Sequence, residues 1–215
     1  MSFGLCSDWD TYSKKRPRPS EVDRPDVQAK RATFRRWMRR VDPARLVVLD
    51  EAGANLAMGR SHVWVQRGQE FVEPRPMNWG TNLTLLGAIR PTGWVTLSTK
   101  WRAVTAEYFV EWVRRRLAPR LRPGDIVLLD NLKAHQDPAV RPLITARGAR
   151  LRFLPPYSPD FSPIEPAWGL VKRDIRAHAP RTGGALRRIA QRARHVVKPT
   201  HCRRWFAHAG YRQLK

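Results

Sequence analysis

Two short apolar runs, Leu46-Val47-Val48-Leu49 and Ile126-Val127-Leu128-Leu129, each stop at an aspartate, Asp50 and Asp130. A continuous apolar run of this length, entered from Pro43 or Gly124, reads as a strand buried on both faces. Such strands need helices on either side of a sheet, which points to the α/β class. The pattern between and after the runs agrees. Thr105 caps a helix whose apolar face is Phe109, Val110, Val113 and Leu117, stopped by Pro119 and the Arg122-Pro123-Gly124 turn. Beyond Asp130, a helix near Pro138 to Arg147 ends at Gly148 and leads to a strand over Leu151 to Leu154. Ahead of Thr105, His62 to Gln66 and Asn82 to Ile89 read as two further strands, punctuated by Gly68 and the Arg90–Gly93 turn. The expectation is a mixed five-stranded sheet, three antiparallel strands followed by two parallel ones, flanked by helices.

Both ends of the chain read as basic helices. Asp23, Pro25 and Asp26 form a helix start, with little order expected before Asp23. Phe34, Trp37, Met38 and Val41 then share one face while Arg35, Arg36, Arg39 and Arg40 occupy the other. Near the C-terminus, Leu186, Ile189, Ala190, Ala193 and Val197 make an apolar stripe, backed by Arg187, Arg188, Arg192 and Arg194.

Charge narrows the partner. The 215 residues hold 41 Lys and Arg against 18 Asp and Glu, a formal charge of +23, of which +12 falls after Glu165. Arginine supplies 33 of the 41, and its planar fork suits phosphate better than ammonium does. A nucleic acid is the leading partner, with the four arginines of the C-terminal stripe as candidate contacts; a high-GC coding bias toward arginine is the alternative. The longest apolar stretch, Leu83 to Ile89, is interrupted by Thr84 and Gly87 and falls far short of the roughly 18 residues of a membrane span. Met1 to Trp9 lacks the pattern of a secretory signal, and Cys6 and Cys202 form neither a disulfide framework nor a four-ligand zinc site. A reducing interior is expected.

Acidic residues are scarce, so their placement matters. Where the strands ending at Asp50 and Asp130 run parallel and adjacent in an α/β sheet, their carboxyl ends bring both side chains to one crevice. After Leu154 the stiff Pro-Tyr-Ser-Pro-Asp-Phe-Ser-Pro-Ile-Glu-Pro segment places Ser162 as N-cap, Pro163 in the first helical turn and Glu165 at the start of a helix that can reach the same place. Taken singly, each acid has a plainer role as a turn, cap or dipole residue. Together, three repelling carboxylates are held ionised most simply by Mg²⁺ or Mn²⁺. Two ions roughly 3.5 to 4 Å apart would activate a water or 3′-hydroxyl and stabilise the leaving oxygen of a phosphodiester. Glu51 is expected to point away from Asp50, since alternate strand residues face opposite sides.

Three stretches carry a resemblance. Leu-Val-Val-Leu-Asp-Glu-Ala-Gly (46–53), Leu-Leu-Asp-Asn-Leu-Lys-Ala-His (128–135) and Leu-Pro-Pro-Tyr-Ser-Pro-Asp-Phe-Ser-Pro-Ile-Glu-Pro (154–166) resemble the three acidic motifs of insertion-sequence transposases of the DDE superfamily, bacterial relatives of mariner elements. The 34 residues between Asp130 and Glu165 agree with that spacing, and the likeness runs from Asp23 to the closing His-Ala-Gly-Tyr at 208–211. It implies an RNase H-like fold and metal-dependent DNA strand cleavage and transfer. The catalytic and metal-binding triad would be Asp50, Asp130 and Glu165, and double-stranded DNA the partner of a homodimer. Asn131 and His135 match the supporting Asp-Asn…His pattern and would orient a bound water or phosphate, a helix-entry or surface role being the alternative for His135. Ala52 stands where the family has Ser or Thr, and Ser162 where it has Asn. The division expected is a basic segment over 1–44, a catalytic domain over 45–180 and basic helices over 181–215. The N-terminal helix-turn-helix domains of such transposases do not fit before Asp50, so the chain reads as the catalytic half, cytoplasmic and nucleoid-associated. Two other readings stay open: a non-catalytic basic DNA-binding remnant, and an RNase H-like nuclease that cleaves RNA in hybrids.

Overall fold

The computed structural model describes residues 19–60, 63–76 and 78–212. Cys6 and most of the segment expected to lack order therefore lie outside the described residues. Five strands, β1 (Leu46–Ala54), β2 (Leu83–Arg90), β3 (Gly93–Trp101), β4 (Ile126–Leu129) and β5 (Arg150–Phe153), form one sheet in the order β3-β2-β1-β4-β5. β1 pairs antiparallel with β2 and β2 with β3, whereas β4 lies parallel to both β1 and β5. The mixed five-stranded sheet is the one expected, but its third strand comes from elsewhere in the chain.

No strand forms over 63–66, and His62 is outside the described residues. The third strand is β3, joined to β2 by a tight turn at Pro91-Thr92. The turn signal at 90–93 thus marks a hairpin rather than the end of the meander. A bulge at the start of β3, where Ile89 pairs with Trp94 and Ala88 with Thr96, puts Trp94 on one face with Leu97 and Trp101 and leaves Val95 on the other. β1 also runs four residues past Asp50. Its parallel pairing with β4 extends through Val48↔Leu128, but β2 continues alongside it to Ala54↔Leu83. Asp50 is thus a mid-strand residue that faces the site cavity where one neighbour has stopped.

Strand periodicity sorts the core into two layers. Leu46, Val48 and Ala52 of β1 face one cluster, with Phe34, Met38, Trp168, Ile175, Leu186, Ala190, Phe206 and Tyr211. Val47 and Leu49 face the other, with Phe109, Trp112, Val113, Leu117, Val140 and Ile144. The first layer is built by α1 (Pro25–Met38), α4 (Glu165–His178), α5 (Gly183–Gln191), α6 (Ala193–Val196) and α7 (Pro199–His208); the second by α2 (Ala106–Trp112), its π-helical continuation to Leu117, and α3 (Val140–Thr145). Thr105 caps α2 as expected, accepting from the Tyr108 N–H at 3.3 Å. α4 departs from expectation at its start. Ile164 is the N-cap and Pro166 the first-turn proline, and Ser162 offers the Glu165 N–H its carbonyl rather than its hydroxyl.

The basic helices at both ends contribute side chains to one shared core, so the sheet is covered on that face only when both are in place. Cys202 is buried and makes no disulfide among the described residues. No helix of the described residues is long and apolar enough to cross a membrane.

Candidate active site

Asp50, Asp130, Asn131 and Glu165 line one cavity of about 270 Å³, closed on one side by Leu154 to Ser158. β1 supplies Asp50, the residue after β4 supplies Asp130, and the first turn of α4 supplies Glu165. The three sequence-predicted carboxylates thus meet, although they are up to 115 positions apart in the chain. Burial, with the nearby Glu165 and Asp130 charges, pushes the Asp50 carboxyl up to about 7, against hydrogen bonds from the Glu51 backbone and Trp168 that favour its charged form. Burial also raises Glu165, with Asp130 adding to it and Lys172 opposing it.

That electrostatic strain is the test of fit for a cation. Asp50, Asp130 and Glu165, gathered on one cavity, form the hard-oxygen donor set that Mg²⁺ and Mn²⁺ take, and a cation there would favour the charged form that burial disfavours at Asp50. Among the described residues, no three His, Cys, Asp or Glu side chains stand close enough to enclose an ion alone.

Asp50 and Asp130 each have a distinct support. The Trp168 indole N–H donates to Asp50 Oδ2 at 3.0 Å. Glu51 does point to the other face, and there it meets His135. The imidazole bridges Asp130 Oδ1 at 2.5 Å through Nδ1 and Glu51 Oε1 at 3.3 Å through Nε2. Burial alone would lower the His135 pKa, but the hydrogen bonds to Asp130 and Glu51 outweigh it and lift it to about 9. His135 is therefore an imidazolium donating from both nitrogens, buried against Phe109 at 4.4 Å between ring centroids rather than a surface residue. Asn131 spends its amide N–H on the Leu154 carbonyl at 2.6 Å, tying Asp130 to the segment that leads to Glu165.

That segment is braced from both chain ends. Arg31 of α1, itself buried, grips Asp160 through two hydrogen bonds at 2.9 and 2.7 Å and also donates to Ser158 Oγ at 2.7 Å. The Tyr211 hydroxyl donates to the Phe161 carbonyl at 2.9 Å. Sequence reasoning missed Arg31, Glu51 and Trp168 as site residues. Arg31 did leave a signal, since it falls on the apolar stripe of α1 between Val27 and Phe34, where an arginine requires a buried partner.

The DNA-contact candidates lie elsewhere. Arg187, Arg188, Arg192 and Arg194 are exposed, and none lines the carboxylate cavity. Arg187 and Arg194 instead flank a cleft at the free edge of β3, where Arg194 donates to the Leu97 carbonyl at 3.0 Å.

A family model described as DDE superfamily endonuclease matches residues 45–187, from the start of β1 into α5, and so spans all three carboxylates. The chain belongs to the DDE superfamily of endonucleases. Solved structures agree on the fold. The Mos1 transposase paired-end complex with left transposon end superposes with a TM-score of 0.72 at 18% identity, over 93% of this chain and 63% of that one. The Mos1 mariner paired end complex with Mn gives 0.68 at 18% identity, with the same coverage of 93% and 63%. The Mos1 transposase catalytic domain with raltegravir and Mg gives 0.59 at 14% identity, over 91% of this chain and 92% of that one. The DDE chain described here therefore has the RNase H-like fold and spans less than two thirds of the longer Mos1 chains. No curated protein matches it in sequence.

Within the DDE fold, the support of Asp50 depends on a glycine. Gly87 lies opposite Asp50 in β2, and a Cβ there would stand 2.6 Å from the Trp94 ring and 2.9 Å from the Trp168 ring. Gly87→Ala is expected to displace Trp168 from Asp50 and cost about 1–3 kcal/mol by overpacking. Thermal melts together with tryptophan emission check this; an unchanged melt and spectrum would show that the space is not required.

Proposed function

We propose that this DDE chain is a transposase catalytic domain that cleaves and joins DNA strands. The observation that carries the reading is the convergence of Asp50, Asp130 and Glu165, from three separate elements, in one cavity of a strongly cationic protein. Asp50, Asp130 and Glu165 would hold two Mg²⁺ or Mn²⁺ ions. Bound there, the ions supply Lewis-acid polarisation of the phosphodiester and favour the ionised form of the attacking hydroxyl. The protein's own part is positional. Trp168 fixes Asp50, His135 holds Asp130 against the α2 side, and the Arg31 and Tyr211 braces set the height of Glu165. Asn131 supports the same loop. The exposed arginines of α5 and α6 are proposed to hold the DNA backbone outside the cavity, with transposon ends and target DNA as the duplex partners.

A homodimer on DNA is proposed as well. The connection between β1 and β2 exposes Trp64, Phe71, Val72 and Trp79, an apolar group that a second copy would cover. The compartment proposed is the bacterial cytoplasm, at the nucleoid.

The test is nicking of supercoiled plasmid by purified protein with Mg²⁺, Mn²⁺ or EDTA. Nicking only with metal is expected. Nicking that persists in EDTA overturns the metal role. Folded protein that binds DNA with steep salt dependence but never nicks it is instead the basic DNA-binding remnant that the exposed arginines alone would make. Preference for the RNA strand of a hybrid would identify a nuclease of other specificity.

A further inference from the structure

The carboxylate cavity adjoins a larger groove of about 1100 Å³, and the two share Pro159, Ser162 and Glu165 in their walls. The far wall comes from the two ends of the chain: Arg35 and Arg39 of α1, and Trp205 and His208 of α7. Arg35 and Arg39 are exposed and make no ion pair among the described residues. The acid in this wall, Asp160, is already neutralised by Arg31 at 2.7 Å, so the groove is cationic beyond Glu165. Trp205 is half-buried with His201 tilted against it, ring centroids 5.5 Å apart. The indole N–H groups of Trp94, Trp112 and Trp168 are spent on Ala193, Ser98 and Asp50, whereas that of Trp205 makes no hydrogen bond among the described residues.

Guanidinium groups without a carboxylate, set beside an aromatic ring, are the two components by which proteins hold unpaired nucleic acid, one gripping phosphates and the other stacking a base. A base inside a duplex is covered by its neighbours in the stack and cannot reach a ring set in a groove. Because Glu165 lines both, a strand laid against the carboxylates can pass on into the groove. We propose that the groove seats an unpaired stretch of the DNA strand adjoining the phosphate to be cut, with Arg35 and Arg39 on its backbone and Trp205 under one base. This rests on the transposase reading above and adds to it a local opening of the duplex and a substrate-binding role for α1 and α7.

Binding in EDTA, measured by fluorescence anisotropy, tests this without any cleavage. The probes are a blunt duplex and the same duplex with a short unpaired extension. The extended duplex is expected to bind roughly tenfold tighter, the scale of one base stacked on an aromatic side chain. Trp205→Ala should remove that preference and Trp205→Phe should keep it. Arg35→Gln with Arg39→Gln should weaken binding of the extended duplex and reduce its salt slope by roughly 0.7 for each phosphate that is no longer neutralised. A third probe with an abasic extension carries the same phosphates without bases: charge alone would leave it binding as tightly as the extended duplex, whereas stacking on Trp205 requires the base and makes the abasic probe bind more weakly. Equal affinity for the two probes, or a preference that survives Trp205→Ala, overturns the proposal. Because Trp205 packs against the core, a thermal melt of Trp205→Ala accompanies the binding, and Trp205→Phe, which keeps a ring in place, must retain the preference. Protein that nicks plasmid but shows no preference refutes the groove assignment alone; protein that shows the preference but never nicks refutes the catalytic reading alone.

Discussion

Asp130→Asn is expected to cut metal-dependent nicking by roughly a thousandfold or more while the protein remains folded. The size follows from what the carboxylate supplies: metal-centred charge stabilisation is worth several kcal/mol, and each 1.36 kcal/mol of barrier is about tenfold in rate. The folded state tolerates the change because the amide keeps the shape and one acceptor oxygen. Asp130 accepts the Leu132 N–H at 3.2 Å and the His135 Nδ1–H at 2.5 Å, and Asn Oδ1 can accept both. The side chain also sits past the end of β4 and is 39% exposed, so little core packing depends on it. Single-turnover nicking rates with Mg²⁺ and Mn²⁺, set beside a thermal melt, separate the two effects. A rate within tenfold of the unsubstituted protein would remove Asp130 from the chemistry. A collapsed melt would show that its pairing with His135 is structural first.

The sequence was most informative where a local pattern and a chemical type coincide. Leu46–Leu49 and Ile126–Leu129 are apolar enough to be strands only in a covered sheet, and the aspartates that follow them fall at its open end for that reason. Periodicity did not reveal how far β1 continues, because Glu51 and Gly53 interrupt the apolar run while β2 still pairs with it to Ala54. The strand expected at 62–66 had the alternation His-Val-Trp-Val-Gln but no neighbouring strand to complete its hydrogen bonds, whereas Trp94 to Trp101 had one close by across the turn. Of the site, the acids were legible because they are few in a basic chain. Their supports were not, since Trp168, Glu51 and Arg31 act through contacts 118, 84 and 129 residues apart. Such pairings depend on which faces the folded layers bring together, and no spacing rule contains them.

Arg90→Ala is the change expected to cost most stability, about 3–5 kcal/mol, the scale for orphaning one member of a buried ion pair. Arg90 ends β2, and its Nη2 donates to Asp125 Oδ2 at 3.0 Å and to the Arg120 carbonyl at 3.3 Å. The side chains are 8% and 1% exposed, so neither charge is solvated. Asp125 immediately precedes β4 and also accepts the Arg122 N–H at 2.8 Å. The pair therefore fastens the end of β2 to the entry of the strand that delivers Asp130, two strands away. Removing the guanidinium leaves the Asp125 carboxylate buried with one backbone donor. For a domain of this size the melting temperature should fall by roughly 6 to 20 °C. The pair is not itself a large source of stability. Arg90 Nη1 is buried without a partner among the described residues, an unsatisfied donor that offsets part of what Nη2 gains. Replacing both charges, Arg90→Met with Asp125→Leu, is thus expected to recover most of the loss, because the penalty lies in an unpaired charge rather than in a missing attraction. Thermal melts of the two single variants and the double variant decide between these origins. A double variant no more stable than Arg90→Ala would mean that the ion pair holds the register of β4 directly, and nicking by that variant should then fall with its stability.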